Sequence, residues 1–461
     1  MTLPQSWAVS SIGALADKGQ YGWTTKAAQA GEVRFLRTTD ITKGRIDWSS
    51  VPFCAEVPAD LDKYLLEPGD IVISRAGSVG FSRLMEKIPC NTVFASYLIR
   101  FKPSSAVVPR YLAAYLNSDA YWKGIGAASV GIALANVNAK SLAALPVPLA
   151  PLAEQKRIAD KLDTVLTRVD AVNTRLARVA PLLKRFRQSV LAAATSGRLT
   201  NPSENVQKIT PIVLRESECK ELPKGWAWRQ LTSLARLESG HTPRKSVESY
   251  WAGGDVPWIS LQDIREADGK VIFDTKFHPT NDGIANSSAR LLPVGTVCFC
   301  RDISFGYVTV MGKEMATSQH FANWVCGSEL LPIYLMYAFI AARDSLAMSG
   351  QGSTVTTIYM PALKALKIAV PPIHEQTEIV RRVETLFAFA DRLEARLAQA
   401  QTAATRLTPA LLAKAFRGEL VPQDPNDEPA AELLRRLQAE RATAPKASAG
   451  RGRKAVVQSE G

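Results

Sequence analysis

The 461-residue sequence holds only six cysteines and four histidines, and neither set is arranged for chemistry. Cys54, Cys90, Cys219, Cys298, Cys300 and Cys326 include no Cys-x-x-Cys pair, so buried reduced thiols are expected rather than a metal ribbon or dithiol redox centre. Cys298 and Cys300 fall on alternate positions of an expected strand and share one face. His241, His278, His320 and His374 lack metal-ligand spacing. No apolar run approaches the ~20 residues of a membrane helix. The richest, Leu330–Ala342, is interrupted by Pro332 and reads as a core helix. No signal-peptide pattern opens the chain, so a cytoplasmic, reducing setting is expected.

Catalytic signatures are missing too. There is no Walker loop, and no glycine-rich cofactor loop paired with the Asn/Asp-Pro-Pro-aromatic motif of DNA methyltransferases. Gly124-Ile-Gly126 lacks a strand–helix setting, and Glu218-Cys-Lys220 is only a fragment of a nuclease metal site. The chain is expected to be no enzyme, with no catalytic residue, metal ligand or cofactor of its own.

What the sequence does have is duplication. Leu3-Pro-Gln-Ser-Trp7 returns as Leu222-Pro-Lys-Gly-Trp226, and Leu66-Glu-Pro-Gly-Asp-Ile-Val-Ile-Ser-Arg75 as Leu292-Pro-Val-Gly-Thr-Val-Cys-Phe-Cys-Arg301. A proline-rich lead into Glu154-Gln155 is echoed before Glu375-Gln376, and Gly197-Arg-Leu by Gly418-Glu-Leu. A period near 221 residues is too long for a solenoid and marks a duplicated pair of domains. The formal net charge of +13 raises the expectation of a polyanionic partner. Most of that excess lies in the first half, while 216–372 is close to neutral.

Each half opens with a mixed segment, 1–150 and 222–371. These carry strand-like runs such as Ile71–Ser74 and Val297–Cys300 and helical patches at Pro109–Trp122 and Pro332–Ala347. Each then closes on a four-three apolar beat. The first runs through Ile158, Leu162, Val165, Val169, Val172, Leu176, Val179, Leu183, Phe186 and Val190, the second through Ile379, Val383, Leu386, Ala390, Leu393, Leu397, Ala400, Ala404, Leu407 and Leu411. Kept over four heptads, that beat specifies a coiled-coil seam. Gly197 and Gly418 are the expected stops. Pro181 and Pro409 are read as kinks or local breaks, with continuity through Pro181 left open. A pseudo-twofold relation between halves would make the two helices antiparallel, with a mixed domain at either end. The expected divisions are therefore 1–150, a helical arm at 151–200, a linker at 201–221, 222–371, a second arm at 372–421, and a tail at 422–461. The tail is expected to hold a short helix over Ala430–Arg441 and to be disordered from Thr443.

The two Leu-Pro-x-x-Trp starts, the two Glu-Gln leads and the two arms ending in Gly-x-Leu together resemble the specificity subunit of type I restriction-modification enzymes, over about 1–421. The resemblance implies an α+β fold, with two duplicated target-recognition domains separated by a long antiparallel two-helix coiled coil. Each domain would read one half of a bipartite site in double-stranded DNA, and the arms would dock two methyltransferase subunits. S-adenosylmethionine, ATP and magnesium would then belong to partner chains, restriction or translocase subunits among them.

Residue chemistry supplies candidates for the DNA contacts. Arg suits guanine, Asn or Gln suits adenine, and Lys, Ser and Thr suit phosphate. The first domain offers Tyr21, Lys26, Arg34, Arg37, Thr38, Lys43, Arg75 and Ser78; the second offers Thr242, Arg244, Lys245, Gln262, Arg301, Gln319, His320, Gln351, Ser353 and Thr354. For the repeated Arg75 and Arg301, an internal salt bridge and a DNA contact both stay open, and His320 suits a satisfied core position equally. The repeated Asp40 and Asp263 read as structural. The non-repeated Arg244, Lys245 and Gln351 suit discrimination between half-sites. On the first arm, Lys184-Arg185-Phe-Arg187 fits phosphate, a partner subunit or simply a solvated face. The alternative reading of the whole chain is a duplicated adaptor that binds proteins, its basic charge incidental.

Overall fold

The computed structural model describes residues 3–128, 136–201, 209–349 and 357–443. The chain divides into two compact units, residues 1–175 with 400–461, and residues 176–399. Both boundaries fall within the two long helices, Leu152–Ala194 and Ile373–Ala415, each of 43 residues.

In the first unit, Ala8–Ser11 pairs antiparallel with Pro146–Leu149, tying the start of the mixed domain to the strand that leads into the long helix. A four-stranded sheet runs Gln20–Tyr21, Leu98–Phe101, Ile71–Ser74, Ser82–Leu84, and a second includes Arg34–Leu36 parallel to Thr92–Phe94. Pro109–Tyr115 and Asp119–Ala128 form two helices where one patch was expected, separated at Asn117-Ser118. Gly124-Ile-Gly126 lies inside the second of them, not in a loop.

The second unit repeats this plan with additions. Ala227–Gln230 pairs with Lys367–Val370, and the five-stranded sheet Ala235–Ser239, Phe321–Cys326, Val297–Cys300, Val308–Met311, Val271–Ile272 gains its last strand. Residues 201–221, expected to be a linker, instead supply Ile212–Val213 as a third strand beside Lys367–Val370. Ile209, Ile212 and Val213 are buried there, so their apolar area holds the segment down. Cys298 and Cys300 share one small core cluster with Phe321 and Met311.

Each unit is locked by the same buried polar joint, which accounts for the Glu-Gln repeat. In the first, Trp7 Nε1 donates to Glu154 Oε2 at 3.0 Å and Gln423 donates to Glu154 Oε1 at 2.5 Å. Gln155 accepts from Val108 N–H at 2.8 Å and donates to the Ala150 and Ala106 carbonyls. In the second, Trp226 Nε1 donates to Glu375 at 3.1 Å and Thr200 donates to its other oxygen at 2.6 Å. Gln376 accepts from Leu331 N–H and donates to Glu329 and Pro371 carbonyls. Buried polar atoms must be paired, so these side chains fix where helix, strand and domain start meet. Burial is the main cause raising the Glu154 carboxyl above its ordinary range, against the lowering effect of the Trp7 and Gln423 donors.

Gly197 and Gly418 sit at φ 78° and 77°, the left-handed region that glycine enters without steric cost. A Cβ on Gly418 would fall 2.4 Å from Cγ of Pro4, and one on Gly197 would fall 2.7 Å from Cγ of Pro223. The helix stop is therefore also a docking point for the Leu-Pro-x-x-Trp motif.

Within each unit the helical segments pair antiparallel. In the first, Ile158 and Leu162 share a core with Leu412, Ala415 and Phe416. In the second, Val190 and Ala194 share one with Ile379 and Val383, while Arg187 pairs with Asp391 at 2.6 Å and lies over the Phe387 ring. That basic side chain is thus held between the helices, whereas Lys184 and Arg185 remain exposed. Val169 and Leu397 are buried, and Val165, Leu176, Leu386 and Leu393 are half-buried. Val172 departs from the expected seam at 44% exposure. Its turn, Asp170–Arg175, is exposed throughout and offers one large apolar side chain, too little area to bury. Leu407 is exposed as well, because the inward positions there run Ala404, Thr408, Leu412, Ala415, an eleven-residue beat instead of the heptad. Neither proline breaks its helix: Pro181 and Pro409 both lie inside continuous spans with exposed rings.

The tail carries a helix, Ala430–Thr443, whose Leu433 and Leu437 pack on Ala106 and Leu152 of the first unit. Beyond Thr443, the stretch expected to be disordered lies outside the described residues. Among the described residues no helix is long and apolar enough to cross a membrane.

Candidate nucleic-acid interface

Both units hold one backbone frame at the end of their central strand. Arg75 N–H donates to the Tyr97 carbonyl at 2.9 Å, and Arg301 N–H donates to that of His320 at 3.0 Å. The Arg75 carbonyl accepts from Val137 N–H and the Arg301 carbonyl from Ile358 N–H. Trp23 and His241 each bond back to the neighbouring strand, at the Phe94 and Thr317 carbonyls. The residue before each is a glycine for lack of room: a Cβ on Gly22 would sit 2.2 Å from the Phe94 carbonyl oxygen, and one on Gly240 2.3 Å from that of Thr317. Three loops are thereby gathered beside one arginine in each unit.

Asp40 and Asp263 complete the frame. Each accepts from the backbone N–H three residues earlier, at Arg37 and Ser260, both at 2.8 Å. That is the structural role read from their repetition.

The side chains set on this common frame differ. In the first unit the Arg75 guanidinium lies 4.9 Å over the ring of Tyr21, whose hydroxyl accepts from Ala139 N–H, and Tyr97 is 60% exposed. In the second, Thr242, Arg301, Gln319 and His320 come together. Thr242 donates to Gln319 Oε1 at 2.5 Å, Gln319 Nε2 faces His320 Nε2 at 3.3 Å, and His320 Nδ1 meets Asp302 at 2.8 Å. Arg301 Nη2 donates to the Gln319 carbonyl at 3.2 Å. His320 is thus neither a buried core histidine nor free, but held by a carboxylate at the surface.

The internal salt bridge left open for the two arginines is absent: among the described residues neither Arg75 nor Arg301 has a carboxylate partner, and each keeps a buried Nε without a hydrogen bond. Other framework arginines are matched to acids, Arg100 to Asp70 and Arg343 to Asp268.

Several candidates are engaged elsewhere. Arg37 forms a two-pronged pair with Asp40. Arg34 donates to the Val51 carbonyl at 2.6 Å and stacks on Phe53. Gln262 bridges Glu266 and Lys276. Thr38 is half-buried with an unpartnered hydroxyl. Lys26, Lys43, Ser78, Arg244 and Lys245 are exposed on loops. Gln351, Ser353 and Thr354 lie outside the described residues. Sequence reasoning missed Tyr97 and the exposed Ile303; aligning Arg75-Ala-Gly with Arg301-Asp-Ile would have drawn attention to the second.

The model of the type I restriction modification DNA specificity domain matches residues 4–180 and again 223–401. The chain is 29% identical to the type I restriction enzyme StySPI specificity subunit of Salmonella potsdam, over 95% of this chain and 96% of that one. It is 28% identical to the EcoKI specificity subunit of Escherichia coli K12, with the same coverage. Two solved structures share the fold. The crystal structure of the HsdS subunit from Thermoanaerobacter tengcongensis aligns with a TM-score of 0.59 at 18% identity, over 91% of this chain and 99% of that one. A chain from a study of assembly and conformational transition of the type I R-M system aligns with a TM-score of 0.63 at 17% identity, over 91% and 100%. With its domain model matched twice and over most of its length, this chain belongs to the type I restriction modification DNA specificity family.

Proposed function

We propose that the protein is the non-catalytic, sequence-specific DNA-binding subunit of a type I restriction-modification complex, and that each unit reads one half of a bipartite site. The observation that carries this reading is the repeated frame with unlike side chains. Arg75 and Arg301 occupy the same position with no acidic partner among the described residues, while their neighbours are Tyr21 and Tyr97 in one unit and Gln319 and His320 in the other. The constant arginine serves phosphate positioning, and the differing neighbours serve base readout. The paired helical segments offer docking faces to modification subunits. These would supply S-adenosylmethionine and act on a base flipped from the stack; restriction or translocase subunits would bring ATP and magnesium. Soluble, cytoplasmic action follows from that assembly.

Replacing 222–371 with the corresponding segment of a relative tests the reading. One half of the recognised site should change and the other stay, and a change in both would refute independent reading. A salt series against random duplex separates the adaptor alternative, since phosphate contacts give a steep fall of log affinity with log salt.

A further inference from the structure

We infer that Gln319 reads an adenine in the half-site of the second unit, with Asp302, His320 and Thr242 as positioning residues that fix the direction of its amide. The inference rests on the DNA-reading proposal above and goes beyond it to one side chain and one base.

A glutamine amide has two N–H donors and two lone pairs, and its two ends are interchangeable by a half-turn. Here that turn is opposed by a contact at each end of the amide, with Asp302 setting the tautomer of one of them. The Asp302 carboxylate can only accept, so the proton of His320 facing it at 2.8 Å must sit on Nδ1. In the neutral imidazole, Nε2 is then an acceptor, and it faces Gln319 Nε2 at 3.3 Å, where an N–H is required. On the other side the Thr242 hydroxyl donates to Gln319 Oε1 at 2.5 Å.

One donor and one lone pair of the amide are thereby used, leaving one N–H and one lone pair on an exposed side chain. That remaining pair matches the N7 acceptor and N6 donor of adenine in the major groove. A guanine presents two acceptors there and cannot use the lone pair.

Position strengthens the case. Gln319 lies beside Arg301, the acid-free arginine of the frame, which donates to the Gln319 carbonyl. The equivalent frame positions in the first unit are Ser96 and Tyr97, where no amide is available. The two units are then built to read different bases from one scaffold.

Selection from a randomised duplex library, using the full-length chain assembled with its modification subunits, tests this. Wild-type protein should show adenine at one position of one half-site. Gln319→Ala should lose about 5- to 150-fold of discrimination at that position alone. Gln319→Glu, which can only accept, should shift the preference there toward cytosine, whose N4 donates. Asp302→Ala should weaken discrimination at the same position and leave the base preferences at the other positions as in wild type. A selective wild type with unchanged base profiles in Gln319→Ala and Gln319→Glu would overturn the inference and leave the DNA-reading proposal standing. An Asp302→Ala profile unchanged beside an altered Gln319→Ala would remove the positioning role. A wild-type assembly selecting no sequence at all would refute the underlying reading.

Discussion

Trp7 and Glu154 meet through an indole N–H held 3.0 Å from a buried carboxylate oxygen, and Trp226 and Glu375 repeat the bond at 3.1 Å. Removing the donor while keeping the ring isolates its value. Trp7→Phe should cost about 1–3 kcal/mol, the penalty of a buried acceptor left unpaired, and Trp226→Phe should cost less, because Glu375 is only half-buried and can take water in place of the indole. Thermal unfolding of the two single variants measures both.

The same joint gives a pH dependence. Burial raises the Glu154 carboxyl, so the folded state binds its proton more tightly than the unfolded chain does. Stability attached to this group is greatest below the ordinary carboxylate range and declines as pH rises from that range through the elevated folded value. Trp7→Phe deletes a lowering influence and should widen the interval of decline. Glu154→Gln should abolish it, as read from denaturant midpoints across the acid range.

Arg75 and Arg301 should respond to truncation unlike the acid-matched arginines. Arg75→Ala and Arg301→Ala should each reduce the salt slope of DNA binding by about one, with stability changed by no more than about 1 kcal/mol, the ring contact or hydrogen bond that each side chain makes. Arg100→Ala instead strands the buried Asp70, 3.6 Å away, and should cost about 3–5 kcal/mol of stability. Salt titrations and melting curves on the three variants separate the roles.

Gly418→Ala faces both a left-handed backbone and the Pro4 ring. A loss of at least about 1–2 kcal/mol is expected from the backbone alone. Gly69, also at positive φ but with open space where a Cβ would stand, is the control that reports backbone cost without the collision. Calorimetry of Gly418→Ala against Gly69→Ala gives the difference.

Thiol reactivity should follow burial. Cys90 is exposed and should react at once with an aromatic disulfide reagent. Cys298 and Cys300 are buried, and burial pushes both thiols up, Cys300 to about 11, so both should react only on unfolding.

The scaffold was legible because repetition marked it. Glu154-Gln155, Gly197, Arg75 and Asp40 all recur in the second half, and each proves to hold an equivalent place in both units: Glu154 and Glu375 take an indole N–H, Gly418 and Gly197 meet a proline ring, and the others bond matching backbone groups. Seam positions such as Ile158 and Ile379 followed from spacing alone. The seam failed at Val172 and Leu407, where a periodic pattern says nothing of how much apolar area a given turn can bury. The strand Ile212–Val213 was missed because two apolar residues carry no periodic signal. The contact candidates were less legible still. Arg37 and Arg75 look alike in sequence, but only the first has an aspartate three residues on to occupy it. Gln319, His320 and Thr242 come together across 77 positions, a proximity no local pattern records.

The last stretch of the polypeptide, from Leu412 through the helix Ala430–Thr443, is built into the same unit as residues 1–175. A premature stop codon near residue 424 would therefore wound the lobe translated first, stripping Asp427 from Arg157 and uncovering Ala106 and Leu152, while the lobe translated in between kept its own packing. Damage at the far end of the message would surface in the product's opening pages.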